Sequence, residues 1–340
     1  MWSRYISRLG LLAVILASPC LAIPCAAQEF RYRGTCDASA AVALGKDHFV
    51  VGDDEVDTLF VYRRGAPDPV NKVDLAAFLG NRSQDGAVRE ADIEGAARIG
   101  DRIYWIASHG RNSSGKVRET RRRFFATDIV ETASGPSVKP AVTPYTALLD
   151  DIVAEGKKQD AAVAGNRPKL DFEAASKRAA EDDGGFNIEG LAASPGGQLL
   201  IGFRNPLPGG HAIVLPMTNP ADVLKGTAAT FGKAMRIDLG QRGIRSLEHV
   251  GNEYLVVAGP HDDGSNFTLY RWTGKDGDAP TAVALDLGSL RPEALFEILG
   301  TREIVLLSDD GSEKVDGRDC KDKSTPPGKK SFRALTFTLP

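Results

Sequence analysis

The 340-residue chain is poor in the residues that build the commonest catalytic motifs. It has four cysteines, five histidines and three tryptophans. There is no His-Glu-x-x-His zinc motif and no Gly-x-Ser-x-Gly nucleophile elbow. Basic residues are not in excess: 42 Lys and Arg stand against 45 Asp and Glu, a net charge of −3. That balance gives no electrostatic footprint for nucleic acid. Long helical patterns are few, while Gly 36 and Pro 19 supply many turns.

The one marked apolar run, Leu11 to Ala17, is short for a membrane span. Arg4 and Arg8 precede it, and Cys25-Ala26-Ala27 follows with small residues. Residues 1–27 therefore read as a secretory signal, with a membrane anchor as the alternative. Cys20 and Cys25 each follow proline, which argues against lipoprotein processing. Removing the leader would leave residues 28–340 as a monomeric, periplasmic or secreted domain with no stable membrane span. Its net charge would fall to about −5, because two arginines are lost. Cys36 and Cys320 would then be the only cysteines. An oxidising compartment favours a disulfide between them, and two free thiols are the alternative.

What is present is a repeat. Asp92-Ile93-Glu94-Gly95 and Asn187-Ile188-Glu189-Gly190 are near copies. Ile244-Arg245-Ser246-Leu247-Glu248 and Ser289-Leu290-Arg291-Pro292-Glu293 are weaker relatives, and Ser39 takes the glutamate's place in a first unit. Each is followed by an apolar stretch, a turn and a second strand-like run. A third run follows in every unit. A fourth is marked by Val73-Asp74-Leu75, Ile237-Asp238-Leu239 and Leu285-Asp286-Leu287, with Thr146 to Leu149 as its counterpart in the second unit. Four strands repeated about five times predict an all-β fold, a β-propeller of five or six four-stranded blades. A β-sandwich does not explain the repeated glutamate. Residues 150–185 are charged and alanine-rich, and read as a partly helical insertion or a degenerate sixth blade. Phe332 to Leu339 is expected to pair with Phe30 to Tyr32 and close the ring.

In a four-stranded blade the start of the first strand lies on the same face as the loop joining the second and third. The glutamates Glu94, Glu189, Glu248 and Glu293 thus fall near polar loops carrying His109, Arg111, Arg204, Asn205 and His261. These loops also supply Asp53, Asp54, Asp262, Asp263, Asp309 and Asp310. Carboxylates are hard ligands suited to Ca²⁺ or Mg²⁺. Arginine and histidine suit an anionic ester. The same glutamates could instead brace blade against blade by accepting backbone N–H bonds, and Asp-Asp-Gly-Ser is ordinary turn chemistry. His48, His211 and His249 fall in strand patterns and read as packing or surface residues. Gly110 to Lys116 has the glycine and lysine spacing of a phosphate loop, but Val117 replaces the Mg²⁺-holding hydroxyl.

The stretches Asp92 to Ser108, Phe186 to Leu207 and Gly243 to Pro260 resemble the bacterial family called domain of unknown function 3616, most specifically over Ile201 to Leu207. The resemblance implies an exported, propeller-like protein and no particular activity. More distantly, the glutamate repeats are similar to the propeller family described as having esterase-like activity of phytase. No catalytic residue carries over from it. Three readings follow: a binder of a small polar or anionic ligand, with or without a divalent cation; a metal-assisted phosphoesterase or related hydrolase; and a protein-interaction scaffold.

Overall fold

A computed structural model describes residues 27–82, 86, 89–262 and 264–339. The expected leader falls outside the described residues apart from Ala27, as does Asp263. Five four-stranded antiparallel sheets form the blades of a β-propeller. Their innermost strands are Ala38–Ala43, Ile93–Ile99, Asn187–Ala193, Gly243–Val250 and Pro292–Glu297. Each touches the next, and the fifth touches the first, so the ring is closed.

Closure uses both ends of the described chain. The fifth blade takes two strands from Pro292–Glu297 and Glu303–Ser308, a third from Ser331–Thr338, and its outermost from Gln28–Arg33. The expected pairing is present, with Phe30 opposite Ala334 and Tyr32 opposite Phe332. The Cys36–Cys320 disulfide, with a Cα–Cα distance of 5.9 Å, joins the entry to blade one to the long loop of blade five. It closes a loop spanning 284 positions.

The core is divided among the seams between blades. In the closing seam Tyr32, Phe49, Tyr62, Phe296 and Phe332 pack ring on ring. Trp105 lies parallel to Phe125 between blades one and two. Each such side chain contributes about 2–3 kcal/mol on burial. The insertion is partly helical, as the sequence predicts, with helices at Leu148–Ala161 and Phe172–Ala175. It is not a sixth blade. Leu148, Ile152 and Phe172 are buried against Phe186 and Phe203, filling the seam between blades two and three.

Two fourth strands differ from expectation. In blade two the strand is Gly135–Pro140, and Leu148 already belongs to the helix. Thr132 to Gly135 makes a tight hairpin, with Gly135 at φ 103°, which places the return strand earlier in the chain. In blade four the strand is Thr281–Ala282, ahead of Leu285-Asp286-Leu287.

Candidate functional site

All five inner strands share a fault in register after their first or second residue. Pairing with the second strand slips between Ala38 and Ala40, Ile93 and Gly95, Ile188 and Gly190, Ile244 and Ser246, and Pro292 and Ala294. Each slip leaves one unpaired residue: Ser39, Glu94, Glu189, Arg245 and Glu293. A bulge of this kind re-aims its side chain away from the regular alternation. The residue after it is small because the strands crowd together there. A Cβ at Gly95 would lie 2.9 Å from Ile106 Cγ2 and 3.0 Å from Leu191 Cβ. At Gly190 it would lie 2.7 Å from Ile244 Cγ2.

The repeated position therefore carries arginine in blade four. Glu248 lies three residues further along, in regular pairing with Leu255. It is not among the residues lining the channel mouth. Burial, with Glu297 nearby, pushes its carboxyl up to about 8.

Three of these groups, with Arg204 from the second strand of blade three, form a buried ladder across blades three to five. Arg204 Nη1 donates to Glu189 Oε1 at 2.8 Å. Arg245 Nε lies 2.8 Å from Glu189 Oε2, and Arg245 Nη2 contacts Glu293 Oε1. Asn187 Nδ2 donates to Glu189 Oε1 at 2.9 Å. Two cations alternate with two carboxylates, so the ladder is neutral. Arg204 also donates to the carbonyl oxygens of Pro260 and Asp262, which ties the ladder to a loop of blade four.

Blades one and two present the opposite case. Carboxylate oxygens of Asp54, Asp92 and Glu94 all lie within 4.8 Å of one another, and so do those of Asp37, Asp53 and Asp54. Two unit charges at that separation repel by roughly 3–4 kcal/mol at an effective dielectric constant of about 20. Compensation is slight. Arg121 Nη1 contacts Asp92 Oδ2 at 2.9 Å. Asp53 accepts N–H bonds from Glu55 and Val56 and faces the Thr35 hydroxyl. Asp54 Oδ1 is buried without a hydrogen-bond partner among the described residues. Glu94 is 7% exposed and enters no ion pair within 4.0 Å among the described residues. Burial, reinforced by the acidic neighbours, holds Asp37, Asp54 and Glu94 well above the usual carboxylate range. Burial raises Asp53 to about 7 and Asp92 to about 6.

Both halves face one cavity of about 450 Å³ at the channel mouth. Its lining carries nine carboxylates and seven cationic side chains, so acid is left in excess where the Asp54 cluster stands. Arg111, Arg291 and Asp309 also line it. Lys321, next to the disulfide, reaches Glu55 at the rim at 2.8 Å.

Other predicted residues take structural places. His109 is buried at φ 56°, with Nδ1 2.8 Å from Ala107 O, and burial lowers it to about 4. Asn205 Nδ2 donates to the carbonyl oxygens of Ala180 and Asp182. Asp310 is fully buried and paired with Arg333 at 2.7 Å. Asp262 is exposed and accepts from the Gly264 N–H. His261 is half-buried and away from the cavity lining. The two histidines thus do not converge on the mouth. Asp37, Asp92, Arg121, Asn187, Arg245, Arg291 and Lys321 were not among the predicted site residues. The pattern apolar–X–small would have picked out Arg245.

Fold and site together define a five-bladed β-propeller with a charged channel mouth. Residues 174–296 match the family described as "Protein of unknown function (DUF3616)". The match takes in blade three and blade four and ends within blade five, and the Asp92 to Ser108 stretch lies outside it. No curated protein matches the chain in sequence. Among solved structures, the chain is similar to the glutaminyl cyclase of Myxococcus xanthus at 11% identity, TM-score 0.44, covering 92% of this chain and 97% of that one. It is similar to a putative oxidoreductase (glucose dehydrogenase) of Thermus thermophilus at 13% identity, TM-score 0.45, covering 92% and 99%. A PQQ-bound aldose sugar dehydrogenase of Streptomyces coelicolor gives 11% identity and TM-score 0.40, covering 92% and 99%.

Proposed function

We propose that this protein binds a small anionic ligand at the channel mouth together with a divalent cation. The carboxylate half of the cavity carries this reading: Asp54, Asp92 and Glu94 crowd together there with only Arg121 in close contact among the described residues. Buried carboxylates are stable as anions only when paired or bound to a cation, and an all-oxygen set suits Ca²⁺ or Mg²⁺. Asp54, Asp92 and Glu94 would hold the ion. Arg111 and Arg291, which line the same cavity, would face the anionic group. The Cys36–Cys320 disulfide fits an oxidising compartment, and no helix among the described residues is long and apolar enough to cross a membrane. We place the protein in the periplasm or outside the cell.

Calorimetric titration with phenyl phosphate tests this, with and without Ca²⁺ or Mg²⁺. The expected result is binding that needs the cation and weakens at least ten-fold with EDTA or in Glu94→Gln. Binding indifferent to both would overturn the proposal. A metal-assisted hydrolase is the second reading, since an ion held by these carboxylates could also activate water. Release of phenol from phenyl phosphate by the wild type, abolished by EDTA, would support it.

A further inference from the structure

The insertion between blades two and three builds a second cavity, which shares no lining residue with the channel mouth. It has a volume of about 540 Å³, within the range of small-molecule sites, roughly 300–1,000 Å³. It lies between the C-terminal half of helix Leu148–Ala161, the loop that follows, and the segment leading into the outermost strand of blade three, Met235–Ile237. Its walls are pinned. Gln159 donates from Nε2 to Gly232 O at 3.0 Å and accepts the Ala234 N–H at 2.9 Å. Asp160 takes the Leu170 and Asp171 N–H groups on its two oxygens, at 2.7 and 2.9 Å.

Its chemistry has two parts. Val163, Leu170, Phe231 and Ala234 give it an apolar side. On the polar side the acids are already engaged: both Asp160 oxygens hold backbone N–H groups, and Glu155 accepts from Gln159 and pairs with Lys158. Lys233 is paired with Asp276 at 2.9 Å. Two guanidinium groups remain, both within reach of the Asp276 charge but in no ion pair within 4.0 Å among the described residues. Arg236 donates from Nη2 to Pro168 O, but its Nε is buried without a hydrogen-bond partner among the described residues. Arg167 lies close enough for its charge to act against that of Arg236, adding to the effect of burial. Two like charges beside an apolar wall, one with an unmet donor, are complementary to an anion that bridges them.

We propose that this cavity binds a small organic anion with an apolar body, such as an aryl carboxylate, with its charge shared by Arg167 and Arg236 and its ring against Phe231 and Leu170. The insertion then gives the propeller a ligand site outside the channel. Calorimetric titration of the full chain with phenylacetate, and with phenylacetamide as the neutral counterpart, tests it. Phenylacetate is expected to bind at least ten-fold more tightly than the amide. Arg167→Gln, at an exposed position, should weaken it at least five-fold without changing the melting temperature. Ala162→Trp, also exposed, should block it. Glu94→Gln should leave it unchanged, which separates this site from the channel. Absence of phenylacetate binding, equal affinity for acid and amide, indifference to both cavity variants, or loss of binding in Glu94→Gln would each overturn the proposal.

Discussion

The same bulge position does opposite things on the two sides of the ring. In blades three to five it carries Glu189, Arg245 and Glu293, which, with Arg204 from the second strand of blade three, neutralise one another in a closed ladder. In blades one and two it carries Ser39 and Glu94, and the loops add Asp37, Asp53, Asp54 and Asp92 with little opposing charge. The first side is finished by folding. The second is left with acids that burial disfavours and that nothing among the described residues fully compensates. A repeated polar residue is therefore not one role repeated. Its role depends on whether the next blade supplies a counter-charge.

The largest effect that would break this contrast lies in the ladder. Arg245→Met strands Glu293 as a buried carboxylate without its cation and leaves Glu189 with Arg204 alone. Such a loss costs about 3–5 kcal/mol, and urea denaturation should show it. A loss below about 1 kcal/mol would mean that the ladder is not what braces blades three to five.

Glu94→Gln should do the reverse. Without divalent cation at pH 7.5 it removes a carboxyl whose ionisation burial opposes, and should stabilise the fold by about 1–3 kcal/mol. Destabilisation would show that Glu94 is a structural brace like Glu189.

A smaller effect sharpens the boundary of the site. Glu248 has a folded-state value of about 8, raised from 4.5. A raised carboxyl leaves stability fully present below about pH 4.5 and erodes it as pH rises toward 8. Glu248→Gln removes that erosion, so its advantage over the wild type should grow between pH 5 and pH 8 to about 2 kcal/mol, allowing for its partial exposure. Divalent cation should not change that difference, because Glu248 lies off the channel mouth.

Much of the fold was legible because strand alternation and turn chemistry are local. The four-strand period, the ring closure through Phe332 and the Cys36–Cys320 bridge could all be read from residue order and spacing. The second-blade outer strand was misplaced because Gly135–Pro140 is glycine- and proline-bearing and hardly strand-like, while Thr146 to Leu149 is apolar enough to imitate one. The glutamates of blades two, three and five were found because Ile-Glu-Gly and Pro-Glu-Ala keep the acid. In blade four sameness of geometry, not identity of residue, is the rule. Ile244-Arg245-Ser246 keeps the bulge and reverses the charge. The histidines follow a related rule: a polar residue in a loop need not face the mouth, and His109 turns inward at φ 56°. Asp37 and Asp92 precede their strands by one residue and meet only when the blades close into a ring. No local pattern reveals that.

The most direct test is the melting temperature of the purified protein in EDTA and after addition of 1 mM Ca²⁺ or Mg²⁺, an amount on the order of 1,000 times a micromolar dissociation constant and hence worth about 4 kcal/mol by mass action. Wild type and Glu94→Gln are compared side by side. The account predicts that at least one of the two ions raises the wild-type melting temperature by several degrees, that EDTA reverses the rise, and that Glu94→Gln, although more stable in EDTA, gains little from either ion. A wild type indifferent to both, or a variant that gains as much as the wild type, would contradict the claim that the carboxylate half of the ring is a cation site.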